Sequence, residues 1–292
     1  MSARLSICFW TANCFSNKIT EGLILLEIKQ DDFVKLTKFI MDEYGINLTN
    51  KQKLIEGRLG KTILDKGFPN FTSYVDHLLR TKSQDELELL INKVTTNHTY
   101  FMRESSHFEY FQDVILPEVE KSCRNRSISV WCAASSTGEE PYTMSIILKE
   151  YFGNRQPPWD TRMLASDISK KVLATAMRGV YSEESLKEIP DHWKKKYFKK
   201  TNDGYAVIPQ IRDNVIFKEF NLMDPIKFKS KFDVIFCRNV MIYFDQPTKD
   251  ALVNRLYEVT NPGGYLLIGH SETLNKANSP YAYLMPATYR KI

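Results

Sequence analysis

Two adjacent carboxylates, Glu139 and Glu140, follow a turn of small residues in the stretch ISVWCAASSTGEEPY, Ile128 to Tyr142. An apolar run (Ile128, Val130, Trp131, Ala133) ends in small side chains, turns at Thr137-Gly138 and restarts as a helix. Pro141 falls in that helix's first turn, where its missing N–H has no partner to lose. In a doubly wound α/β sheet such a turn lies at the carboxyl edge, where ligands bind and small residues let them approach the backbone. The carboxylates select the ligand. A phosphate-binding turn offers bare N–H groups to an anion, whereas carboxylates beside a helix start suit an ammonium or hydroxyls; the plainer alternative is that they only complement the helix dipole. Asp167, ending the next strand (Arg162 to Ser166), is placed to accept hydrogen bonds from ribose hydroxyls, or else caps the helix Lys170 to Arg178. Two later strands end in Asn221-Leu222 and Arg238-Asn239. Neither GxGxxG nor GxxxxGK[ST] occurs, so the ligand is a nucleoside without phosphates to cradle. S-adenosylmethionine meets that description: its ammonium can pair with a glutamate, its ribose with Asp167 and its adenine with backbone at Asn221-Leu222.

The elements that must position these groups read in two blocks. From Asp31, the spacing of Phe33, Leu36, Ile40 and Tyr44 predicts a helix, with Asp31 or Asp32 to cap it and Gly45 to stop it. Further helices are predicted over Asn50 to Asp65, Phe71 to Arg80 and Asp85 to Val94, the last opened by a capping box Ser83-x-x-Glu86. Lys51, Arg58 and Lys61 form a basic stripe on the second helix, either a solvated face or a dock for an acidic helix. Thr95 to Glu104, TTNHTYFMRE, reads as a linker touching the main site, and Ser106-x-x-Glu109 opens the next helix. The βα rhythm is then interrupted from Gly179 to Asp213 by a basic insert with a hairpin around Asn202-Asp203-Gly204. It resumes with strands Val215 to Phe220 and Phe232 to Cys237, a helix Thr248 to Val259, a turn at Asn261 to Gly264, and strands Tyr265 to Gly269 and Ala287 to Lys291. A mostly parallel α/β sheet preceded by a helical unit is the expected architecture. Residues 1–26 show no periodic apolar face and are expected to be a disordered or non-native extension, dispensable for stability and activity.

A chain of 292 residues with 43% hydrophobic content can bury a large core and a smaller one. The five cysteines are scattered and lack CxxC spacing, so neither a disulfide framework nor a zinc site is indicated, and a reducing cytoplasm fits. No apolar run approaches the roughly 20 residues of a membrane span, and the first residues lack signal-peptide features. A formal charge of +5 is too small and dispersed to argue for nucleic acid.

TTNHTYFMRE, AASSTGEEPY, ASDIS, FNLMD, FDVIFCRNVMIYF and NPGGYLLIGHSE, in this order and spacing, resemble the chemotaxis receptor methyltransferases of CheR type, protein-glutamate O-methyltransferases. The resemblance covers about Ile28 to Ile292. It implies a class I S-adenosylmethionine-dependent methyltransferase (Rossmann-like) sheet at residues 96–292 with a small β-subdomain inserted at about 181–213, and an N-terminal all-helical domain at 27–95. It also implies methylation of receptor glutamates from S-adenosylmethionine, yielding S-adenosylhomocysteine, with no metal. Carried over onto this chain, the cofactor contacts are Asn97, Thr99, Arg103, Glu139, Asp167, Asn221, Leu222, Arg238 and Asn239. Met102 departs from a usual aromatic and Ala134 from a frequent glycine. Arg103 and Tyr243 are the candidates for orienting the acceptor carboxylate; Tyr243 could instead be a core aromatic. Expected partners are the cytoplasmic methylation helices of chemoreceptors, met by a monomer without nucleic acid or membrane insertion. Some relatives tether themselves through the β-subdomain to a receptor tail, but Lys199 to Tyr205 is too compact a turn for a peptide groove. Docking is therefore expected through Lys51, Arg58 and Lys61. Two other classes compete. Pro157-Pro158-Trp159 resembles the Pro-Pro-aromatic element of nucleic-acid amino-methylating enzymes, though it precedes the second strand instead of following the fourth; a non-catalytic adaptor that senses the nucleoside is the third.

Overall fold

The computed structural model describes residues 19–20, 23–24, 26–123 and 125–292. The expectation for residues 1–26 thus falls almost wholly outside the described residues. Within it, the short strands β1 (Ile19–Thr20) and β2 (Leu23–Ile24) pair antiparallel, and Leu26 packs against the core.

Four helices form the first block: α1 (Gln30–Tyr44), α2 (Gln52–Asp65), α3 (Phe71–Thr81) and α4 (Gln84–Val94). Their apolar stripes, among them Leu36, Ile40, Ile55, Leu59, Ile63, Val75, Leu78 and Leu90, are fully buried against one another. Gly45 ends α1 in the left-handed conformation (φ 68°), as its position suggested. Two expected caps are not made. Asp32 is buried and accepts from the Thr72 hydroxyl at 2.6 Å, stitching α1 to α3, while α1 starts at Lys29 without a side-chain cap. Ser83 likewise makes no cap bond; its partner Glu86 turns to Lys66, just past the end of α2, at 2.6 Å. A tertiary ion pair has replaced a local box.

After an extended linker, α5 (Ser105–Tyr110), a wider turn at Phe111–Ile115 and α6 (Leu116–Ser122) make one near-continuous helix. The sheet block follows: β3 (Val130–Cys132), α7 (Glu139–Phe152), β4 (Met163–Asp167) and α8 (Lys170–Arg178). The insert contains β5 (Val180–Tyr181), α9 (Asp191–Tyr197), β6 (Phe198–Thr201), β7 (Gly204–Val207) and α10 (Pro209–Arg212). The chain then returns as β8 (Val215–Glu219), β9 (Phe232–Cys237), α11 (Gln246–Glu258), β10 (Thr260–Ile268), β11 (Ala282–Met285) and β12 (Thr288–Arg290). The main sheet runs β11-β12-β10-β9-β3-β4-β8, parallel from β10 to β8 and closed by two antiparallel strands, of which β11 was missed in the sequence. The insert is a separate sheet ordered β5-β7-β6, with Thr201 opposite Gly204 across a two-residue turn, as compact as expected.

Central strands are apolar on both faces, as a sheet covered on both sides requires. Trp131, Ile235 and Leu266 face one core, shared with α1–α4 and α11; Val130, Val234 and Leu267 face another, shared with α5–α7 and the insert. The helical block is therefore not an appendage: one continuous core joins it to the sheet. Pro157-Pro158-Trp159 lies in the loop entering β4, at the sheet's amino edge, where Trp159 stacks on Phe152 at 4.2 Å and Arg126 holds the Pro157 carbonyl. That position, remote from the strands' carboxyl ends, removes the base-holding reading.

The turn between β3 and α7 depends on Gly138, at φ 99°; a Cβ there would stand 2.8 Å from the Ala176 Cβ and from the Tyr181 hydroxyl. Gly138→Ala should therefore cost about 1–3 kcal/mol from backbone strain and overpacking together. Urea unfolding measures it, and a midpoint equal to wild type would contradict this account of the turn.

Candidate functional site

β3 and β9 are neighbours although the chain leaves β3 towards β4 and β8 on one side and reaches β9 and β10 on the other. This is the topological switch point, where an open α/β sheet leaves a crevice. A cleft of about 960 Å³, counting its open mouth, sits there. Its floor is the strand ends: Ala133, Ala134, Ser136 and Glu140 after β3, Asp167 to Ser169 after β4, Phe220 to Leu222 after β8, Arg238 to Val240 after β9. Its lid side comes from the helical block (Tyr44, Ile46, Ile91, Asn92) and from the linker Thr95 to Thr99 with Arg103.

At the centre Arg238 is fully buried. Its guanidinium donates to Glu140 Oε2 at 2.7 Å, Glu104 Oε2 at 2.9 Å and the Arg103 carbonyl at 2.5 Å, and lies over the Phe108 ring. Glu104 also accepts from Asn239 Nδ2 at 3.1 Å and from the His270 N–H at 3.2 Å. Burial pushes the Glu104 carboxyl up, but the hydrogen bonds from Arg238 and Asn239 and the guanidinium charge outweigh it and hold it down at about 2. Glu272 accepts from three backbone N–H groups, those of Gly269, Asn239 and Ile242, and so fixes the bend after β9. That bend places Asn239 at φ 56°, packed so closely on Gly269 that a Cβ there would meet Asn239 Nδ2 at 2.3 Å.

His107 is buried beside this group, and among the described residues neither ring nitrogen has a hydrogen-bond partner. Desolvation first, and the Arg238 charge next, lower its pKa to about 3, so it stays neutral. Glu104, His107 and His270 bring ligand atoms within 4.8 Å of one another. Arg238 already occupies the carboxylate they would share, so a cation there would face a guanidinium.

Asp167, partly buried, accepts from the N–H of Ser136 at 2.8 Å and of Ser169 at 3.0 Å; burial pushes its carboxyl up against the pull of those bonds. Expected to meet ribose hydroxyls or to cap α8, it also shapes the turn after β3 through the Ser136 N–H, and accepts from the Ser169 N–H at the start of α8. Asn221 donates to the Glu43 carbonyl at 2.9 Å and accepts from the Met223 N–H, so it ties the end of α1 to the cleft. Arg255 holds the Leu222 carbonyl at 2.7 Å.

Of the sequence candidates, Asn97, Thr99, Arg103, Asp167, Asn221, Leu222, Arg238, Asn239 and Tyr243 are brought together around this one cleft. Glu139 is not. It is buried, bonded to the Thr137 hydroxyl at 2.6 Å and raised in pKa by burial, and its neighbour Glu140 faces the cleft in its place. One residue of a helical first turn points across the sheet edge while the preceding one points back into the packing; their order is invisible in the dipeptide. Tyr243 is not free: its ring is partly buried against the core, as the alternative reading had it, while its hydroxyl donates to the Thr96 carbonyl at 3.0 Å and accepts from the Thr96 N–H at 2.9 Å. Lys51, Arg58 and Lys61 are exposed and do not line the cleft. Arg58 departs further from expectation, since its guanidinium is engaged by the Lys93 and Thr95 carbonyls and the Thr96 hydroxyl. Sequence reasoning missed Glu104 and Glu272. Glu104 stood in the quoted linker, and its juxtaposition with a buried arginine 134 residues away leaves no local signal.

Comparison with known proteins gives a consistent result. A family model described as CheR methyltransferase, SAM binding domain, matches residues 97–290, and one described as CheR methyltransferase, all-alpha domain, matches residues 31–95. A chemotaxis protein methyltransferase of Borreliella burgdorferi is 42% identical over 91% of this chain and 96% of its own length. Chemotaxis protein methyltransferase 2 of Pseudomonas aeruginosa is 36% identical, covering 85% of this chain and 89% of its own. The chemotaxis protein methyltransferase of Escherichia coli is 32% identical over 88% of each.

The lowered pKa values of His107 and Glu104 make the fold acid-labile in windows that open at different pH and overlap below 4.5. Unfolded, His107 takes up a proton near its ordinary 6.5, which the folded chain refuses until about 3, so stability falls as pH drops below 6.5. Glu104 adds stability that is complete above its ordinary 4.5 and lost as pH falls from there towards about 2. Each contributes a slope of up to about 1.4 kcal/mol per pH unit within its window. Urea midpoints measured from pH 7 to 4 should flatten throughout the range below 6.5 in His107→Gln, and only below 4.5 in Glu104→Gln. Parallel profiles for wild type and both variants would refute these assignments.

Proposed function

The chain belongs to the CheR methyltransferase family, and on that premise we propose which residues of this cleft carry the family's reaction. The protein is a S-adenosylmethionine-dependent methyltransferase of chemotaxis that esterifies glutamate side chains of chemoreceptors. The observation that carries the residue assignment is the polar lining of the cleft: carboxylates at Glu140 and Asp167, amide groups at Asn97 and Asn221, and, besides the buried Arg238, the half-buried cation Arg103, with no phosphate-binding motif at the strand-end turn. That set fits a zwitterionic amino acid joined to a nucleoside. Glu140, one oxygen of which Arg238 already holds, would offer its remaining acceptor capacity to the ammonium, Asp167 would meet the ribose hydroxyls, and backbone beside Asn221 and Leu222 the adenine; Asn97 and Thr99 would close over it from the linker. Arg238 and Asn239 support Glu140 and Glu104 from behind.

When bound, the cofactor supplies an activated methyl on a sulfonium. The acceptor glutamate, with a reference pKa of about 4.3, is ionised at neutral pH, so no residue of the chain needs to remove a proton. What the residues do is position, and exclude water from a reaction in which opposite charges disappear. Arg103, tethered to the His98 carbonyl at 2.5 Å, would orient the incoming carboxylate without neutralising it. Tyr243, its hydroxyl shared with Thr96, would act by holding the linker against the cleft.

The division into a helical domain at 27–95 and a methyltransferase domain at 96–292, with the insert at about 181–213, fits the same reading, as does a monomer in the cytoplasm that binds no nucleic acid; among the described residues no helix is long and apolar enough to cross a membrane. Receptor docking through Lys51 and Lys61, without Arg58, would present a basic face to acidic methylation helices, and the short β6–β7 turn argues against a tail tether.

Incubating the protein with a receptor cytoplasmic fragment and radiolabelled S-adenosylmethionine should place label in the fragment as a base-labile ester. Label in nucleic acid, or binding without transfer, would overturn the assignment. Reversing Lys51 and Lys61 together to glutamate should lower kcat/KM for the fragment roughly three- to thirtyfold at physiological ionic strength, less at high salt, and leave S-adenosylhomocysteine affinity unchanged. Full activity in that double variant, or micromolar binding of a receptor-tail peptide, would exclude the docking model.

A further inference from the structure

After α4 the chain crosses the cleft from Thr95 to Tyr100 in neither helix nor strand, before turning at Phe101 to Glu104 into α5. Backbone polar groups in such a segment need partners from elsewhere. Each successive carbonyl finds one on a side chain: Thr95 on Arg58 Nη1 at 2.9 Å, Thr96 on Tyr243 at 3.0 Å, Asn97 on the Ser136 hydroxyl at 3.2 Å, His98 on Arg103 at 2.5 Å. The Lys93 carbonyl, at the end of α4, is also taken by Arg58 Nη1 at 3.2 Å, and Arg58 Nη2 reaches the Thr96 hydroxyl at 3.1 Å. Three of the four tethers come from the sheet side of the cleft or from the linker's own continuation. Arg58 comes from α2.

We propose that Arg58 is a positioning residue for cofactor binding: it fixes the Thr95–Thr99 segment from the helical domain so that Asn97 and Thr99 face the cleft. The inference rests on reading the cleft as the cofactor site and adds a role for a residue which, by exposure and charge, belongs to the receptor-facing stripe. The planar fork of a guanidinium suits this task. It meets two carbonyls with one nitrogen and a hydroxyl with the other, whereas an ammonium on a flexible stem satisfies fewer of them at once. Opposite it, Tyr243 grips the N–H and C=O of Thr96 from the sheet side, so Thr96 is clamped from both domains. Without Arg58, the segment would keep its hold on the sheet but lose its hold on α2, and the cofactor would have to order it on binding.

Calorimetric titration with S-adenosylhomocysteine, in the absence of receptor, separates this role from docking. Arg58→Gln should weaken binding about tenfold, the equivalent of about one charge-assisted hydrogen bond. Arg58→Lys should recover part of the loss, while Lys51→Gln and Lys61→Gln should bind as wild type does. Amide hydrogen exchange over Thr96 to Thr99 should accelerate in unliganded Arg58→Gln, a readout that needs no cofactor and registers the tether directly. Wild-type affinity and wild-type exchange in Arg58→Gln would overturn the inference, as would equal weakening in Lys51→Gln. Failure of the wild-type protein itself to bind S-adenosylhomocysteine would instead overturn the reading of the cleft on which it stands.

Discussion

A guanidinium buried at the switch point of the sheet sets the terms for everything around it. Taking an arginine out of water costs several kcal/mol unless carboxylates and hydrogen-bond acceptors surround it, and removing one partner of such a group is worth about 3–5 kcal/mol. Arg238 has three acceptors from two places in the chain: Glu140 at the start of α7, and both the Glu104 side chain and the Arg103 carbonyl at the end of the linker. The charge thereby ties the strand end of β9 to the helix after β3 and to the segment that crosses the cleft. Asn239 and Glu272 extend the arrangement to β10. His107, neutral and unpartnered against Arg238, sits on the side where a second positive charge would be repelled.

The cleft is also a joint between domains. Asn221 reaches the carbonyl of Glu43 at the end of α1, and Glu88 of α4 accepts from the Lys171 N–H at the start of α8, the helix that follows Asp167. Tyr44, Ile91 and Asn92 complete the wall. A helical domain whose sequence suggests a separate docking module therefore forms one wall of the cleft.

The insert is joined to the same turn. The Tyr181 hydroxyl donates to the Thr137 carbonyl at 2.7 Å, and Phe101 from the linker packs edge-on against Tyr181 and Phe198. The turn that carries Glu140 is consequently braced from the β-subdomain on one side and, through Asp167 and Ser136, from β4 on the other.

Local pattern in the sequence determined a good deal. The 3.6-residue spacing in α1 to α4, the apolar runs of the central strands and the Gly138 turn are properties of neighbouring residues, and backbone propensity with burial is enough to realise them. Because strands of a parallel sheet must end at a common edge, Asp167, Asn221, Leu222, Arg238 and Asn239 could be gathered into one site from order alone. What tertiary structure decided is which atoms in that site are free. Whether Glu139 or Glu140 faces the cleft depends on how α7 is rotated against the sheet, and the packing of Thr137 and Ala176 sets that. Ser83 and Glu86 lost their capping box to Lys66, Arg58 left the basic stripe for the linker, and Tyr243 turned its hydroxyl to Thr96, each because a partner far along the chain offered a stronger or otherwise unsatisfied group. Hydrogen bonds and ion pairs are short-ranged in space but indifferent to sequence separation, so their assignment had to wait for the fold.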